Sequence, residues 1–147
     1  MPASSGVLFY SEDKSIPSSV LKNKTNIVRW IHTLSKIENV KIGEINFIFC
    51  SDEFLYSINK QYLNHNYYTD IITFDYSENK TLSADIFISV ERVKENASTL
   101  NILYKTELLR VLVHGILHLC GYKDQSKSQQ LTMRTKEDFY LQKIQLV

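Results

Sequence analysis

The sequence lacks a long hydrophobic run and a basic, apolar leader, and it contains little cysteine. No stretch of about 18 apolar residues occurs in the chain, so we expect no transmembrane helix. Residues 1–6 carry no basic region followed by an apolar segment, so we expect no secretory signal. The two cysteines, Cys50 and Cys120, lie within apolar segments and indicate buried, reduced thiols of a cytoplasmic protein rather than a disulfide.

Internal repeats and low-complexity linkers are also absent from the sequence. A chain of 147 residues is long enough for one domain with a hydrophobic core, so we expect residues 1–147 to form a single domain. Apolar residues make up 44% of the chain and charged residues 22%, which is the composition of an ordinary soluble globular protein.

The net charge of +1 conceals an uneven distribution along the chain. Residues 105–136 contain six basic and two acidic side chains, a net charge of +4. Residues 51–95 contain eight acidic and four basic side chains, a net charge of −4. The basic segment would suit a polyanion. Charge alone nevertheless favours a solvated surface, because a nucleic-acid footprint is usually more basic.

Apolar periodicity and capping residues predict an α+β fold. Strands are expected over residues 7–10, 44–50, 69–76 and 84–90, and the turn-prone residues 77–80 would join the last two as a hairpin. Helices are expected over about 20–38, from the N-cap Ser51 to Tyr62, and over about 91–100, 106–120 and 126–142. Early strands and late helices predict a small mixed sheet packed with helices.

Residues 114–124, His-Gly-Ile-Leu-His-Leu-Cys-Gly-Tyr-Lys-Asp, carry the strongest chemical signal. His114 and His118 are four residues apart, so on a helix both imidazoles lie on one face, about one turn apart. Gly121 is a suitable helix stop, and Asp124 follows where the turning chain could bring it back to both rings. Two imidazole nitrogens, one carboxylate oxygen and an open fourth position are the ligand set of a catalytic zinc site.

The alternative for each histidine is a core residue that is hydrogen-bonded to the backbone. The predicted helix is apolar on nearly all sides, which indicates that it is buried. Its polar residues fall within a stripe about 80° wide, and they are Glu107, Arg110, His114 and His118. Two histidines on so narrow a stripe, followed by a carboxylate, favour a metal site over two unrelated core residues.

Asp124 and Gly115 determine what such a site would do. Asp124 could instead cap the last helix, but Ser126 is better placed there because Gln129 completes its capping box. Zinc proteases of the His-Glu-x-x-His type place a general-base Glu directly after the first histidine, and Gly115 occupies that position. A peptidase is therefore harder to propose, whereas a metal can activate water and polarise a phosphoryl oxygen to cleave a phosphodiester. The glycine is expected to let another element pack closely against the helix.

Residues 114–122 resemble the signature of the YbeY family of bacterial endoribonucleases and rRNA maturation factors. The resemblance covers nearly the whole chain. It includes Tyr62 with residues 69–74, and it continues through 84–88 and through 107–111.

The resemblance implies a single α+β domain with a zincin-like metal-binding helix. It implies one Zn²⁺ per chain, held by His114, His118 and the residue at position 124, with both histidines in the catalytic centre. It also implies hydrolysis of single-stranded RNA, maturation of the 3′ end of small-subunit (16S) rRNA, and ribosome quality control in the cytoplasm. The expected partners are an rRNA precursor and the small ribosomal subunit, with no membrane and no DNA.

Two positions depart from the family. Asp124 stands where the family usually has a histidine ligand, and an oxygen donor is compatible with zinc but widens the choice to other divalent metals. Leu63 stands where the family usually has an arginine that is thought to bind or polarise the scissile phosphate. Either Lys60 or Arg110 would then bind the scissile phosphate, or the nuclease activity would be weak. Simple packing is the role that we favour for Leu63 itself.

The remaining polar candidates carry less specific signals. Three of them, Thr69, Asp70 and Thr73, would line a cleft beside the metal helix. The alternative is that they only form and stabilise the strand and its turn. Asp85 lies in an apolar strand, where an unpaired carboxylate is costly to bury, so we expect it to pair with backbone or a base, or to support a ligand. His65 lies in a predicted loop and is expected at the surface.

The leading hypothesis is a metal-dependent endoribonuclease that acts in rRNA maturation. One alternative is a non-catalytic ribosome-assembly factor with a structural metal, which Leu63 in place of arginine motivates. A structural zinc site would have four protein ligands and no open position. The other alternative is a different metallohydrolase such as a peptidase, against which Gly115 argues.

Overall fold

Four strands pair into one sheet that carries helices on both faces. The computed structural model describes residues 6–146, which form a four-stranded sheet and six helices. In chain order these elements are β1 (Val7–Ser11), α1 (Ser18–Leu21), α2 (Lys24–Ile37), β2 (Lys41–Cys50), α3 (Asp52–Leu63), β3 (Ile71–Asp75), β4 (Thr81–Ser89), α4 (Val90–Leu100), α5 (Tyr104–Leu119) and α6 (Lys127–Leu141).

The sheet is mixed, with the strand order β1-β2-β4-β3. β1 pairs with β2 and β2 pairs with β4 in parallel, whereas β3 runs antiparallel to β4. The antiparallel pair confirms the predicted hairpin, which an additional bridge between Glu78 and Thr81 closes. The predicted α+β class with a small mixed sheet is therefore confirmed.

Each face of the sheet contributes to a hydrophobic core. On one face Phe47, Ile86 and Ile88 are fully buried in the main core, to which α2, α5 and α6 contribute. On the other face Ile72 packs with Leu55 of α3 in a smaller core. Because successive side chains of a strand point to opposite faces, β3 and β4 take part in both cores.

The helix predicted over 20–38 is in fact two helices, α1 and α2, so that prediction is wrong in its continuity. The side-chain amide of Asn23 donates a hydrogen bond to the carbonyl oxygen of Ser19 at 2.6 Å. That carbonyl is the acceptor that the backbone amide of Asn23 would use in a continuous helix. Competition from the asparagine side chain accounts for the break.

Six strand boundaries differ from the predicted ones. β1 ends at Ser11 rather than at residue 10, β3 ends at Asp75 rather than at residue 76, and β4 begins at Thr81 rather than at residue 84. β3 begins at Ile71 rather than at residue 69, because the Thr69 hydroxyl donates to the carbonyl oxygen of Ile71 at 3.3 Å and forms a local turn. β4 ends at Ser89, whose side chain caps α4, so Val90 belongs to the helix. β2 begins at Lys41 rather than at residue 44.

The predicted helix caps are confirmed. Ser51 caps α3 by accepting a hydrogen bond from the amide of Phe54. Ser126 and Gln129 form the predicted capping box at the start of α6. Asn101 ends α4 in the left-handed conformation, with φ 56°, and so marks the break before α5.

Both cysteines are free thiols, of which Cys50 is buried and Cys120 is partly buried. Burial raises the pKa of each thiol to about 12, so both are protonated at neutral pH. None of the helices within residues 6–146 is long and apolar enough to cross a membrane.

Candidate metal centre

The C-terminal end of α5 brings the two histidines and Asp124 together. The helix stops at Gly121, which is left-handed with φ 104° and whose amide donates to the carbonyl oxygen of His118 at 3.0 Å. The amide of Tyr122 donates to the carbonyl oxygen of Leu117 at 3.1 Å. This pair of bonds is the Schellman motif, which reverses the chain at a glycine. The predicted helix stop is confirmed, and the reversal places Asp124 beside both rings.

Three candidate ligand atoms converge at this corner. Nε2 of His114 lies 3.0 Å from Nε2 of His118, and Oδ2 of Asp124 lies 3.4 Å from each of them. Tetrahedral ligands at about 2.0–2.1 Å from a zinc ion lie roughly 3.3 Å from one another, which is close to these separations. The donor set and its spacing therefore fit a divalent metal of the size of zinc.

Each imidazole is oriented through its other nitrogen. Nδ1 of His114 donates a hydrogen bond to Oε2 of Glu137 at 2.7 Å. Nδ1 of His118 donates to the carbonyl oxygen of Tyr122 at 2.8 Å. A proton on Nδ1 leaves the lone pair of Nε2 facing the ligand cluster. Both histidines are thus held in the tautomer that a metal requires.

Glu137 is a buried carboxylate that the sequence analysis misses. It lies on α6, is 4% exposed, and also accepts a hydrogen bond from Arg110 at 3.0 Å. It shares the buried stripe of α6 with Met133 and Tyr140. The sequence contains one signal for this residue, which is a carboxylate at an apolar position of the helix pattern. Such a carboxylate indicates a polar or charged partner, because a buried carboxylate needs one.

His114 and Glu137 perturb each other's titration. Burial lowers the pKa of His114, but the hydrogen bond and the charge of Glu137 outweigh burial and raise that pKa above its usual value. Burial raises the pKa of Glu137, but the hydrogen bonds from His114 and Arg110 outweigh burial and hold it below its usual value. The carboxylate is therefore ionised and attracts positive charge to the site.

Arg110 is already engaged by carboxylates. Its guanidinium lies 3.4 Å from Glu107, on the same helix. It lies 3.0 Å from Glu137 and 3.3 Å from Asp138, both on α6. Glu107 is buried, and burial raises its pKa. The polar stripe of α5 is thus a row of ion pairs that leads to His114, and the charge of Arg110 is largely offset within it.

An open cavity of about 640 Å³, here called the metal-side cavity, lies against the ligand cluster. Its lining includes the three ligand residues together with Leu63, His65, Thr69, Asp70 and Thr73. The structure thus brings three of the weaker candidates, on and just before β3, to the side of α5 that carries the histidines. It also brings the loop that follows α3 to the same cavity.

Asp70 lines both this cavity and a second one of about 280 Å³. Burial raises the pKa of its carboxyl above the usual value. The second cavity is also lined by His114 and by Arg134, an exposed cation on α6. Arg134 lies 3.9 Å from Glu137 and is therefore a positive charge beside the ligand cluster.

Two candidates lie away from the ligand cluster. Lys60 is exposed in the last turn of α3 and lines neither cavity. Asp85 points to the face of β4 opposite to that of Ile86 and accepts a hydrogen bond from the side chain of Asn46 at 3.0 Å. Its partner is a neighbouring side-chain amide, and the structure does not bring it to the histidines.

Comparisons with known proteins agree with this geometry. The sequence model of the family described as endoribonuclease YbeY matches residues 9–145. The relative of that name from Cytophaga hutchinsonii is 48% identical over 133 residues, which are 90% of this chain and 91% of that protein. The relative of the same name from Flavobacterium johnsoniae is 51% identical over 118 residues, which are 80% of this chain and 85% of that protein.

A solved structure supports the same assignment. The solution structure of a Thermotoga maritima protein superimposes with a TM-score of 0.65 at 27% sequence identity, and the match covers 92% of this chain and 87% of that one. Agreement in sequence and in fold over nearly its whole length shows that the chain belongs to the family described as endoribonuclease YbeY.

Proposed function

We propose that the protein is a metal-dependent endoribonuclease whose metal is held by His114, His118 and Asp124. The observation that carries this proposal is the convergence of three ligand atoms, 3.0 to 3.4 Å apart, on the wall of an open cavity. A catalytic site must leave room for its substrate, whereas a structural zinc site is closed by four protein ligands. Membership of the family supports RNA as the substrate, because its curated relatives are named endoribonucleases.

The residues around the cluster prepare it for a divalent cation, for which we propose one Zn²⁺ per chain. The oxygen donor of Asp124 also suits other divalent metals. When bound, the cation polarises a phosphoryl oxygen and lowers the pKa of a water molecule towards about 7. Glu137 and the carbonyl oxygen of Tyr122 keep the imidazole protons at Nδ1, so each Nε2 stays free to act as a ligand.

The surrounding side chains favour a phosphodiester over a peptide as the substrate. A Cβ at Gly115 would lie 3.1 Å from Cδ1 of Ile71, so this position faces packed core and cannot carry a general base. The carboxyl of Asp70, whose pKa burial raises, lines the cavity and is placed to hold a proton for the leaving oxygen. Arg134 is placed to offset negative charge on the phosphate.

The biological substrate that we propose is a precursor of small-subunit rRNA. The protein would cleave single-stranded RNA near the 3′ end of 16S rRNA, in the cytoplasm and with the small ribosomal subunit as its partner. Residues 1–147 would act as one catalytic domain. Support for this assignment is the family match over residues 9–145.

Hydrolysis of a single-stranded RNA by the Zn²⁺-loaded protein tests the proposed activity. His114→Ala removes one ligand and is expected to abolish cleavage. Lys123→Ala changes the exposed neighbour of Asp124 and is expected to cleave like the wild type. Equal cleavage by the wild type and by His114→Ala would refute a metal-centred nuclease.

Elemental analysis of purified variants tests Asp124 as the third ligand. Asp124→Ala is expected to lose the bound metal, whereas Lys123→Ala retains it. Full metal content in Asp124→Ala would remove this residue from the ligand set.

A further inference from the structure

The loop after α3 places two stacked aromatic rings on the wall of the metal-side cavity. The rings of His65 and Tyr67 have centroids 5.1 Å apart and lie within 19° of parallel. Tyr67 is 55% exposed, and His65 is exposed too. Both residues line the same cavity as His114 and His118. This pair, here called the aromatic pair, thus offers flat ring surface beside the metal ligands.

The aromatic pair is held in place by a buried asparagine. Asn59 is 1% exposed, and its side-chain amide donates to the carbonyl oxygen of Tyr67 at 2.9 Å. The amide of His65 donates to the carbonyl oxygen of Asn59 at 3.0 Å. The hydroxyl of Tyr67 lies 3.0 Å from Nδ1 of His65 and joins the two rings at their edges. A ligand that stacks on this pair would not have to order the loop first.

The described lining of the metal-side cavity offers the phosphate groups of RNA no basic side chain. Among the described residues that line the metal-side cavity none is lysine or arginine, whereas Asp70, Asp75 and Asp124 are acidic. Phosphate groups gain affinity mainly from basic side chains. An unpaired base, in contrast, can stack on an uncharged ring, and this contact does not depend on the sequence of the RNA.

We propose that the aromatic pair of His65 and Tyr67 is a stacking platform for one unpaired base of the RNA, next to the phosphate that is cleaved. The platform binds the RNA in a cavity whose wall has no basic side chain for the phosphate groups. It selects RNA whose bases are not paired in a duplex. The inference rests on the proposed RNA substrate, but not on the identity of the metal or on cleavage itself.

Equilibrium binding of a fluorescently labelled, unstructured RNA oligonucleotide to the full chain tests the platform, with metal-free and Zn²⁺-loaded protein measured side by side. Tyr67→Ala is expected to raise Kd about 5- to 150-fold, the range typical for loss of one base–aromatic stack. Tyr67→Phe keeps the ring and is expected to bind like the wild type. Tyr10→Ala, which removes a tyrosine that is 47% exposed from β1 at the other edge of the sheet, is the matched control and should leave Kd unchanged.

Abasic substitution along the oligonucleotide locates the stacked base. One position is expected at which removal of the base weakens binding to the wild type but not to Tyr67→Ala, because the contact is already lost. The dependence of Kd on salt should be the same for the wild type and Tyr67→Ala, since the ring carries no charge.

Several results would overturn the platform. In the binding measurement these are an unchanged Kd for Tyr67→Ala, or an equal rise in Kd for Tyr67→Phe and Tyr67→Ala. In the abasic series it is the same pattern of effects for the wild type and for Tyr67→Ala. The platform is also refuted if the wild type binds no RNA with or without Zn²⁺. Failure of the proposed nuclease is distinguishable, because it would abolish cleavage and leave the Tyr67-dependent binding intact.

Discussion

Glu137 controls the tautomer of His114 by accepting the hydrogen bond from Nδ1 at 2.7 Å. An ionised carboxylate behind an imidazole makes the other nitrogen a better metal ligand. His118 has only the neutral carbonyl oxygen of Tyr122 behind it, at 2.8 Å. The two histidines are therefore not equivalent, and the one backed by Glu137 is expected to be the stronger donor.

Replacing Glu137 by glutamine is expected to lower metal affinity about 10- to 100-fold, the range typical for groups that orient a metal ligand. The amide keeps the shape of the side chain but removes the charge that increases the basicity of His114. Titration with a competing chelator measures the affinity. Asp138→Asn is the matched control, because Asp138 also accepts from Arg110, at 3.3 Å, whereas the carboxylates paired with His114 among the described residues are Asp124 and Glu137. Equal affinities in the two variants would show that Glu137 has no such role.

The sequence predicts the two histidines of this site but not Glu137, which accepts a hydrogen bond from His114. His114, His118 and Asp124 lie within eleven residues and one helix end, so local spacing and the Gly121 stop are enough to bring them together. Glu137 reaches His114 only because α6 packs against α5, and no local pattern specifies that packing.

At the scale of elements, Gly115 sets how closely α5 approaches the hairpin of β3 and β4. A Cβ there would lie 3.1 Å from Cδ1 of Ile71 and 3.3 Å from Cδ1 of Ile86. The expectation that this glycine permits close packing of another element is confirmed. This contact brings the face of α5 that carries the histidines to β3. Residues of β3 line the metal-side cavity.

Gly115→Val is expected to lower the free energy of unfolding by about 1–3 kcal/mol, because a branched side chain overpacks this contact. Gly115→Ala is expected to change stability much less, since the better helix propensity of alanine, about 1 kcal/mol, offsets its tight contacts. Urea denaturation of the three proteins measures both effects. A valine variant as stable as the wild type would show that the hairpin can move away from α5.

Glu38 links the end of α2 to α6 and to the chain segment that follows α5. It follows the last residue of α2 and accepts hydrogen bonds from the hydroxyl of Tyr122 at 2.8 Å and from Nζ of Lys136 at 3.2 Å. The hydroxyl of Tyr140 donates to the same carboxylate. Burial opposes its ionisation, but these donors outweigh burial and hold the pKa of Glu38 below its usual value. The carboxylate thus fixes α6 and the chain after α5 to the end of α2.

Glu38→Gln is expected to lower the free energy of unfolding at neutral pH by about 1–3 kcal/mol. A carboxyl whose pKa is lowered by folding stabilises the protein at pH values above its unfolded pKa, and this contribution is lost as the pH falls through the folded pKa. The difference between the two proteins should therefore shrink on acidification. Chemical denaturation across a pH series measures it, with the exposed Glu44→Gln as the control. A constant difference down to acid pH would contradict the role of the charge.

For the molecule as a whole, a metal bound at the proposed site would link the end of α5 to the segment that leads into α6. Binding to the folded state alone stabilises it by about 2.7 kcal/mol when the free metal is at 100 times its Kd. For a chain of this size the Tm should rise on the order of 5–10 °C with Zn²⁺ and fall again with a chelator.

Differential scanning calorimetry with and without metal measures this shift. The double variant His114→Ala, His118→Ala is expected to show none. An equal shift in that variant would mean that the metal binds elsewhere in the chain.

The α+β class, the hairpin, the caps at Ser51 and Ser126, and the metal motif of α5 all follow from the amino-acid sequence. Each of these depends on periodicity or on residues close together in the chain, whose interactions are set by local geometry. The break at Asn23 does not follow from the apolar pattern, because one side-chain hydrogen bond there outweighs that pattern.

The surroundings of the metal motif, in contrast, depend on tertiary packing. It placed Glu137 behind His114, enclosed Arg110 among carboxylates, turned Asp85 to the opposite face of the sheet, and brought the aromatic pair to the metal-side cavity. These contacts join residues far apart in the chain. They follow from how α3, α6 and the sheet pack around α5, and burial drives that packing without leaving a local pattern in the sequence.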